Sequence, residues 1–357
     1  MLATGTNPQT ESGMNPPAQP LIEVRDLKVQ FDARRPDGGK VLLKAVDGIS
    51  FSINAGETFA LVGESGSGKT VTGKAVLQIT RPNSGSVRFA GRELTTLKGR
   101  ALATARTGMQ IIFQNPFSSL DPRMSVGAII AEPMRLAGRF DRAERRARVA
   151  ALIERVGLPS STVDELPTNF SGGQRQRIAI ARALAAEANF IVCDEPLSAI
   201  DVSLQAQILA LLQEVKREFG VTYLFISHDL GVVRFIADHI AVMYLGTIVE
   251  HGPAEQVFTS PRHPYTRALI AAVPIPDPDI EQRRKGKVLI GEIPDPTAAR
   301  TGCPFTTRCP FAQARCASEV PLPQVVSEGH EVACHFWREL PAPLTFLLAR
   351  DADSSTS

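Results

Sequence analysis

Gly63-Glu64-Ser65-Gly66-Ser67-Gly68-Lys69-Thr70 follows the apolar run Thr58-Phe-Ala-Leu-Val62 and leads into VTGKAVLQI, residues 71–79. The eight residues fit G-x-x-x-x-G-K-[ST], and they sit between a strand pattern and an apolar-periodic helix pattern, in the order that a phosphate site requires. Glycines let successive backbone N–H groups close around phosphate oxygens, and the helix start adds the positive end of its dipole. Lys69 brings a point charge to the β- and γ-phosphates, and Thr70 offers an oxygen to Mg²⁺. An accidental glycine-rich turn has the same letters without this setting. The stretch therefore predicts an ATP-type phosphate loop at the head of a parallel α/β sheet.

Upstream, LIEVRDLKVQF (21–31), the polar turn DARRPDGGK (32–40) and KAVDGISFSI (44–53) predict an antiparallel β layer. Downstream, strand signals return at Phe190–Cys193, Thr222–Ile226 and Ile240–Met243, and helices are expected around 174–187, 203–219 and 230–237. That alternation belongs to a parallel α/β sheet. Residues 125–158 predict a helical insert, within a helical subdomain of about 116–178. Its Arg-rich stretch, Arg139 to Arg155, reads as a solvated face with acidic partners such as Glu144 and Glu154. After residue 255 the prolines and four of the five cysteines mark a C-terminal extension, 256–357.

The bulk numbers restrict the function classes. Thirty-nine basic against 37 acidic side chains leave a net charge of +2, which gives no electrostatic reason for a nucleic-acid partner. No apolar run reaches the roughly 18 residues of a membrane span. Residues 1–20 lack the basic start and apolar block of a secretory signal and predict a disordered tail. A reducing cytosol follows, so the cysteines are not expected as disulfides. The run EQRRKGK (281–287) reads as an exposed turn.

Further polar groups stand where strands end. Phe190-Ile-Val-Cys-Asp194-Glu195 is an apolar strand closed by two acids: Asp194 is placed for the Mg²⁺ shell and Glu195 to polarise a water. Cys193, inside the run, reads as core. Ser171-Gly172-Gly173-Gln174 opens a helix and exposes N–H groups and a hydroxyl that can receive a second phosphate. Gln114 follows the strand-like IIF, His228 follows YLFIS, and Asp201 lies shortly after Glu195. Ligands bind at such strand ends in open α/β sheets.

In this order the motifs resemble the ATP-binding subunits of ABC transporters, over residues 21–255. The resemblance implies a P-loop NTPase cassette: a RecA-like α/β core, an antiparallel β layer and a helical subdomain. It makes Gln114 the Q-loop residue that senses Mg²⁺ and the membrane partner, His228 the switch histidine at the γ-phosphate, and Phe31 the aromatic stacked on adenine. It makes Ser171–Gln174 the signature that clasps the nucleotide of a second subunit, and Asp201 the D-loop acid. The D-loop reads Ser198-Ala-Ile-Asp201 where the family usually has Leu before the Asp.

The segments NPFSSLDPRMSVGAIIAEP (115–133), YLFISHDLGVVRFIAD (223–238), HPYTRALIAAVP (263–274) and GCPFTTRCPFA (302–312) are similar to the oligopeptide and dipeptide importer ATPases. The wording is that of the F-type member of their unequal ATPase pair. This implies a D-type ATPase partner, two transmembrane permeases, an extracytoplasmic peptide-binding protein, and a peripheral place on the cytoplasmic face of the bacterial inner membrane. Nickel, glutathione or a sugar are alternative cargoes, and a soluble non-transport ATPase is the rival class. His263 and Tyr265 are landmarks of the family for which the sequence offers no mechanism.

Cys303, Cys309, Cys316 and Cys334 are spaced C-x5-C-x6-C-x17-C, wider than the pairs of structural zinc sites. Some relatives of this importer group carry a [4Fe-4S] cluster on a similar set, and Cys-Pro context is found in ferredoxin runs. A cluster, a zinc ion helped by His330 or His335, and plain reduced thiols all remain open readings.

Overall fold

Elements in chain order are β1 (Ile22–Arg34), β2 (Lys40–Ile53), β3 (Thr58–Val62), α1 (Lys69–Val76), β4 (Ser84–Phe89), β5 (Arg92–Glu93), α2 (Gly99–Arg106) and β6 (Met109–Ile112). The helical insert holds α3 (Pro116–Ser119), α4 (Val126–Leu136) and α5 (Arg142–Arg155) and ends in α6 (Gly172–Ala185). Then come β7 (Phe190–Asp194), α7 (Val202–Phe219), β8 (Thr222–Ser227), α8 (Leu230–Ile236), β9 (His239–Tyr244) and β10 (Thr247–Pro253). The C-terminal region adds α9 (Ala254–Thr259), α10 (Pro264–Ala271), α11 (Ala314–Ser318), β11 (Gln324–Ser327) and β12 (His330–Val332). This is a computed structural model that describes residues 19–34, 39–198, 200–273, 291–292, 294–295, 297–298 and 301–341. The EQRRKGK run and most of the N-terminal tail lie outside the described residues.

Among the described residues the strands form two sheets, β2-β1-β4-β5 and β11-β12-β10-β9-β3-β8-β7-β6. The first is antiparallel throughout. In the second, β9, β3, β8, β7 and β6 run parallel, and β10, β12 and β11 extend it antiparallel. Central strands covered on both faces must be apolar at every position. Thr58–Val62, Phe190–Asp194 and Thr222–Ser227 are accordingly apolar apart from their ends and buried at every position. Period-two alternation then splits the core. Phe59, Leu61, Val192 and Ile226 pack toward the antiparallel layer, whereas Ala60, Val62, Cys193 and Phe225 pack toward the helices. Burying each large side chain contributes about 1.5–3 kcal/mol. Cys193 is fully buried core, and burial pushes its thiol pKa up.

The insert is not one continuous helix. Gly138 and Phe140 turn left-handed at φ 65 each, and Asp141 then caps α5. The Arg-rich face finds acids, though not the expected ones. Glu144 is consumed in a capping box with Asp141. Arg148 and Arg139 reach Glu187 at 2.6 and 3.0 Å, and Arg155 pairs with Glu218 of α7. These exposed pairs are worth at most about 1 kcal/mol each.

The residues beyond 255 are built into the main sheet's edge: Glu250 of β10 stands opposite Val332 of β12. Glu250, 1% exposed, accepts the N–H groups of Arg262 (2.6 Å) and His263 (2.8 Å) and meets His330 Nε2 at 2.9 Å. Three partners offset the desolvation that would otherwise exclude a buried carboxylate. Among the described residues no helix is long and apolar enough to cross a membrane.

Candidate functional site

Sheet register decides where the loops land. Val62 of β3 stands opposite Ser227 of β8, Asp194 of β7 opposite Ile226, and Ile112 of β6 opposite Cys193. Gly63, His228, Glu195 and Gln114 therefore leave neighbouring strands at one level, at the carboxyl ends. The loop itself is wedged between two backbones. A Cβ on Gly63 (φ 150) would stand 2.1 Å from the Met243 carbonyl oxygen, and one on Gly68 (φ 105) 2.2 Å from that of Ala45. Only glycine fits either place.

Lys69 is 4% exposed, and its Nζ donates to the carbonyls of Gly63 (2.8 Å) and Glu64 (2.9 Å). Burial lowers its pKa, opposed by the fields of Glu195, Asp194 and Glu64. Thr70 Oγ1 donates to Asp194 Oδ1 at 2.7 Å, and burial raises the pKa of Asp194 against that bond. Glu195 sits in the left-handed region at φ 46, with its N–H on the Ile226 carbonyl at 3.0 Å. A non-glycine residue held there marks strain that the surroundings must impose. Its Oε2 receives Gln114 Nε2 at 2.8 Å and lies 3.3 Å from His228 Nδ1. One carboxylate thus collects both flanking polar groups. Ser67 Oγ is buried with no hydrogen-bond partner among the described residues. A buried hydroxyl without a partner at the floor of a phosphate loop fits an oxyanion ligand. Ser65 and Gly66 are exposed at the loop's crest. The hard oxygens of Thr70, Asp194 and Gln114 are a donor set suited to Mg²⁺.

The remaining predicted residues make no hydrogen bond to this corner among the described residues. Ser171 caps α6 in a reciprocal box: its N–H donates to Gln174 Oε1 at 2.9 Å, and its Oγ accepts the Gln174 N–H. Both side chains are exposed, while Gly173 is pressed on Leu204 of α7. Asp201 caps α7, accepting from Leu204 N–H (3.1 Å) and Ser203 Oγ (2.7 Å), and faces solvent. The hydrogen bond from Ser203 heads the causes that keep its carboxyl below the usual range. Phe31 lies on β1 opposite Leu43, 41% exposed, a large apolar ring left uncovered.

Two residues outside the nucleotide motifs, in the HPYTR and GCPFTTRC segments, reach the loop. Tyr265 OH accepts the Glu64 N–H at 2.8 Å, and Arg308 grips the Glu64 carboxylate with Nη1 at 2.7 Å and Nη2 at 3.0 Å. They lie 201 and 244 residues along the chain from Glu64, and no local pattern links positions that far apart.

Cys303, Cys309, Cys316 and Cys334 line one recess, together with His263, Phe305 and His335. Burial pushes the thiols of Cys309 and Cys334 up to about 11. Among the described residues no three His, Cys, Asp or Glu side chains converge closely enough for one metal ion. A single zinc would need its donors about 2.0–2.3 Å from one point.

Residues 46–198 match the family described as ABC transporter, and residues 249–316 that described as oligopeptide/dipeptide transporter, C-terminal region. The chain is 46% identical over 324 residues to the oligopeptide transport ATP-binding protein OppF of Escherichia coli, covering 88% of this chain and 95% of OppF. OppF of Salmonella typhimurium is 46% identical over 325 residues, with the same two coverages of 88% and 95%. Among solved structures, the ATP-binding cassette MJ0796, dimeric and bound to ADP and Pi, superposes with a TM-score of 0.59 at 25% identity, over 65% of this chain and 98% of that one.

Phosphate loop, paired acids and strand-end polar groups on this sheet define an ATP-binding cassette, an enzyme that hydrolyses ATP with Mg²⁺. More particularly, the chain belongs to the ABC transporter ATPases that carry the oligopeptide/dipeptide C-terminal region.

Proposed function

We propose that this chain powers peptide import as the F-type member of an unequal ATPase pair. Its other partners are two transmembrane permeases, served by an extracytoplasmic peptide-binding protein, and its place is the cytoplasmic face of the bacterial inner membrane. One observation carries the reading: the complete ATP corner and the oligopeptide/dipeptide C-terminal region occur in one chain, aligned with OppF over 95% of OppF's length.

Each site residue takes a role that its geometry supports. Lys69 exchanges two carbonyl contacts for phosphate oxygens, and backbone N–H groups of the loop other than that of Glu64, which Tyr265 holds, cradle them. Thr70, Asp194 and Gln114 would hold Mg²⁺, which when bound would neutralise charge on the phosphates. Glu195 orients and polarises the attacking water, and Phe31 takes the adenine. His228, its side chain 54% exposed, can leave Glu195 for the γ-phosphate. Ser171–Gln174 and Asp201, outward-facing and away from the chain's own corner, serve the nucleotide of the facing subunit. The similar cassette MJ0796 is dimeric in its solved structure. The test is ATP turnover of the assembled complex in a membrane. Stimulation by peptide-loaded binding protein is expected, and stimulation only by nickel, glutathione or sugar would reassign the cargo.

The same reading places a [4Fe-4S] cluster on Cys303, Cys309, Cys316 and Cys334. Four thiols lining one recess are what supports it; that no three donors converge among the described residues speaks against it. When bound, the cluster would tie four chain segments together and hold an electron. Anaerobically purified protein should contain four irons per chain and a charge-transfer absorbance band; stoichiometric zinc, or no metal, would overturn this.

A further inference from the structure

The phosphate loop is held from two sides, and its second support is contributed by the C-terminal region. All three polar groups of Glu64 are engaged: N–H to Tyr265 OH at 2.8 Å, carbonyl to Lys69 Nζ at 2.9 Å, carboxylate to both Arg308 amino groups at 2.7 and 3.0 Å. The Arg308 side chain is 4% exposed and that of Glu64 25%, so the fork is mostly withdrawn from water. Bidentate guanidinium–carboxylate pairs fix direction as well as distance. Arg308 is itself immobilised, with Nη1 on Tyr244 OH at 3.5 Å, in a turn whose Phe305 packs edge-on against Tyr244. Tyr265 stacks obliquely on Tyr244 at 4.7 Å, completing an aromatic bed under the loop.

Lys69 must give up the Glu64 carbonyl when it meets phosphate. The carbonyl keeps the Ser67 N–H at 3.2 Å, and the two contacts from the C-terminal region hold the N–H and carboxylate of Glu64 in place. We infer that Arg308 and Tyr265 are positioning residues for ATP binding, which hold Glu64 so that the loop is already ordered when nucleotide arrives. An ordered loop pays no ordering entropy on binding. The gain belongs to affinity, equally in ground and transition states, so it should show in KM and not in kcat.

The test is a double-mutant cycle on the whole chain, reading MgATP affinity by fluorescent-nucleotide displacement and turnover in the assembled complex. Arg308→Gln is expected to weaken ATP about tenfold with kcat at saturation kept within about twofold, because binding must then order the loop. Glu64→Gln should do nearly the same, and the double variant should be no worse than either single one. Tyr265→Phe should weaken ATP by a few-fold, and Arg308→Lys should recover part of the loss. If Arg308→Gln costs as much in the Glu64→Gln background as in the wild type, the arginine acts by general stability and the inference fails. It also fails if the penalty falls on kcat. Should Arg308→Gln not fold, Glu64→Gln decides by itself, and unchanged affinity there would overturn the brace.

Discussion

The catalytic corner and the signature face are both made of strand-end and helix-start residues, yet they are left in opposite states. At the corner, Gln114, His228 and Glu195 close on one another, and Thr70 closes on Asp194, all within one chain. At the signature face, among the described residues, the side chains of Ser171 and Gln174 bond only within their own capping box, and that of Asp201 only at the start of its own helix. A helix start needs its first N–H groups capped, and these residues do that while staying exposed. The corner is thus assembled by sheet register alone. The face is assembled by local helix capping and lies exposed.

The largest effect expected is at the corner. Glu195→Gln keeps the shape and a hydrogen bond to Gln114 but removes the base, so turnover of the paired complex should drop by ~10²–10⁴ while ATP binding persists. Unchanged turnover would remove Glu195 from its role. Next in size is Lys69→Ala, which deletes two charge-assisted contacts to phosphate and should weaken ATP about 100-fold in the isolated chain. Isothermal titration checks it, and retention of affinity would mean that the backbone cradle suffices. Ser171→Ala should separate the two regions. ATP affinity of the lone chain should be untouched, turnover of the pair should fall about tenfold, and α6 should lose about 1 kcal/mol of cap stability. A loss of affinity in the lone chain would show that face and corner share one nucleotide.

The difference also explains what sequence could and could not reveal. Glu195 is one residue beyond an apolar strand and Gly63–Thr70 lies between strand and helix, so short-range pattern was enough to place both. Register then made neighbours of residues that the sequence could mark only singly: Gln114 and Glu195 are 81 positions apart and 2.8 Å from each other. The break between α4 and α5 is signalled only by Gly138 and the Asp141–Glu144 box, and the Arg- and Ala-rich residues beyond carry enough helical propensity to make the stretch read as one helical block. Tyr265 and Arg308 were invisible as loop contacts for a different reason. Their partner is Glu64, at a position where the phosphate-loop pattern accepts any residue. The edge strands β11 and β12 are short and rich in polar residues, so nothing in them announced that they join the main sheet.

The smallest effect tests whether the corner is complete before nucleotide arrives. Ser67 Oγ is buried without a partner among the described residues, a condition that costs roughly 1–3 kcal/mol. Ser67→Ala should therefore raise the melting temperature of the nucleotide-free chain by a few degrees, since it removes the unsatisfied group and leaves the backbone bonds of residue 67 to Glu64 and Gly246 in place. If phosphate is what the hydroxyl awaits, the same variant should gain less from added MgATP, because linkage adds stability only in proportion to affinity. The two shifts should have opposite signs in one thermal series with and without nucleotide. An equal MgATP increment in variant and wild type would mean that the hydroxyl is merely buried, and that the corner's contacts to phosphate come from the backbone and Lys69.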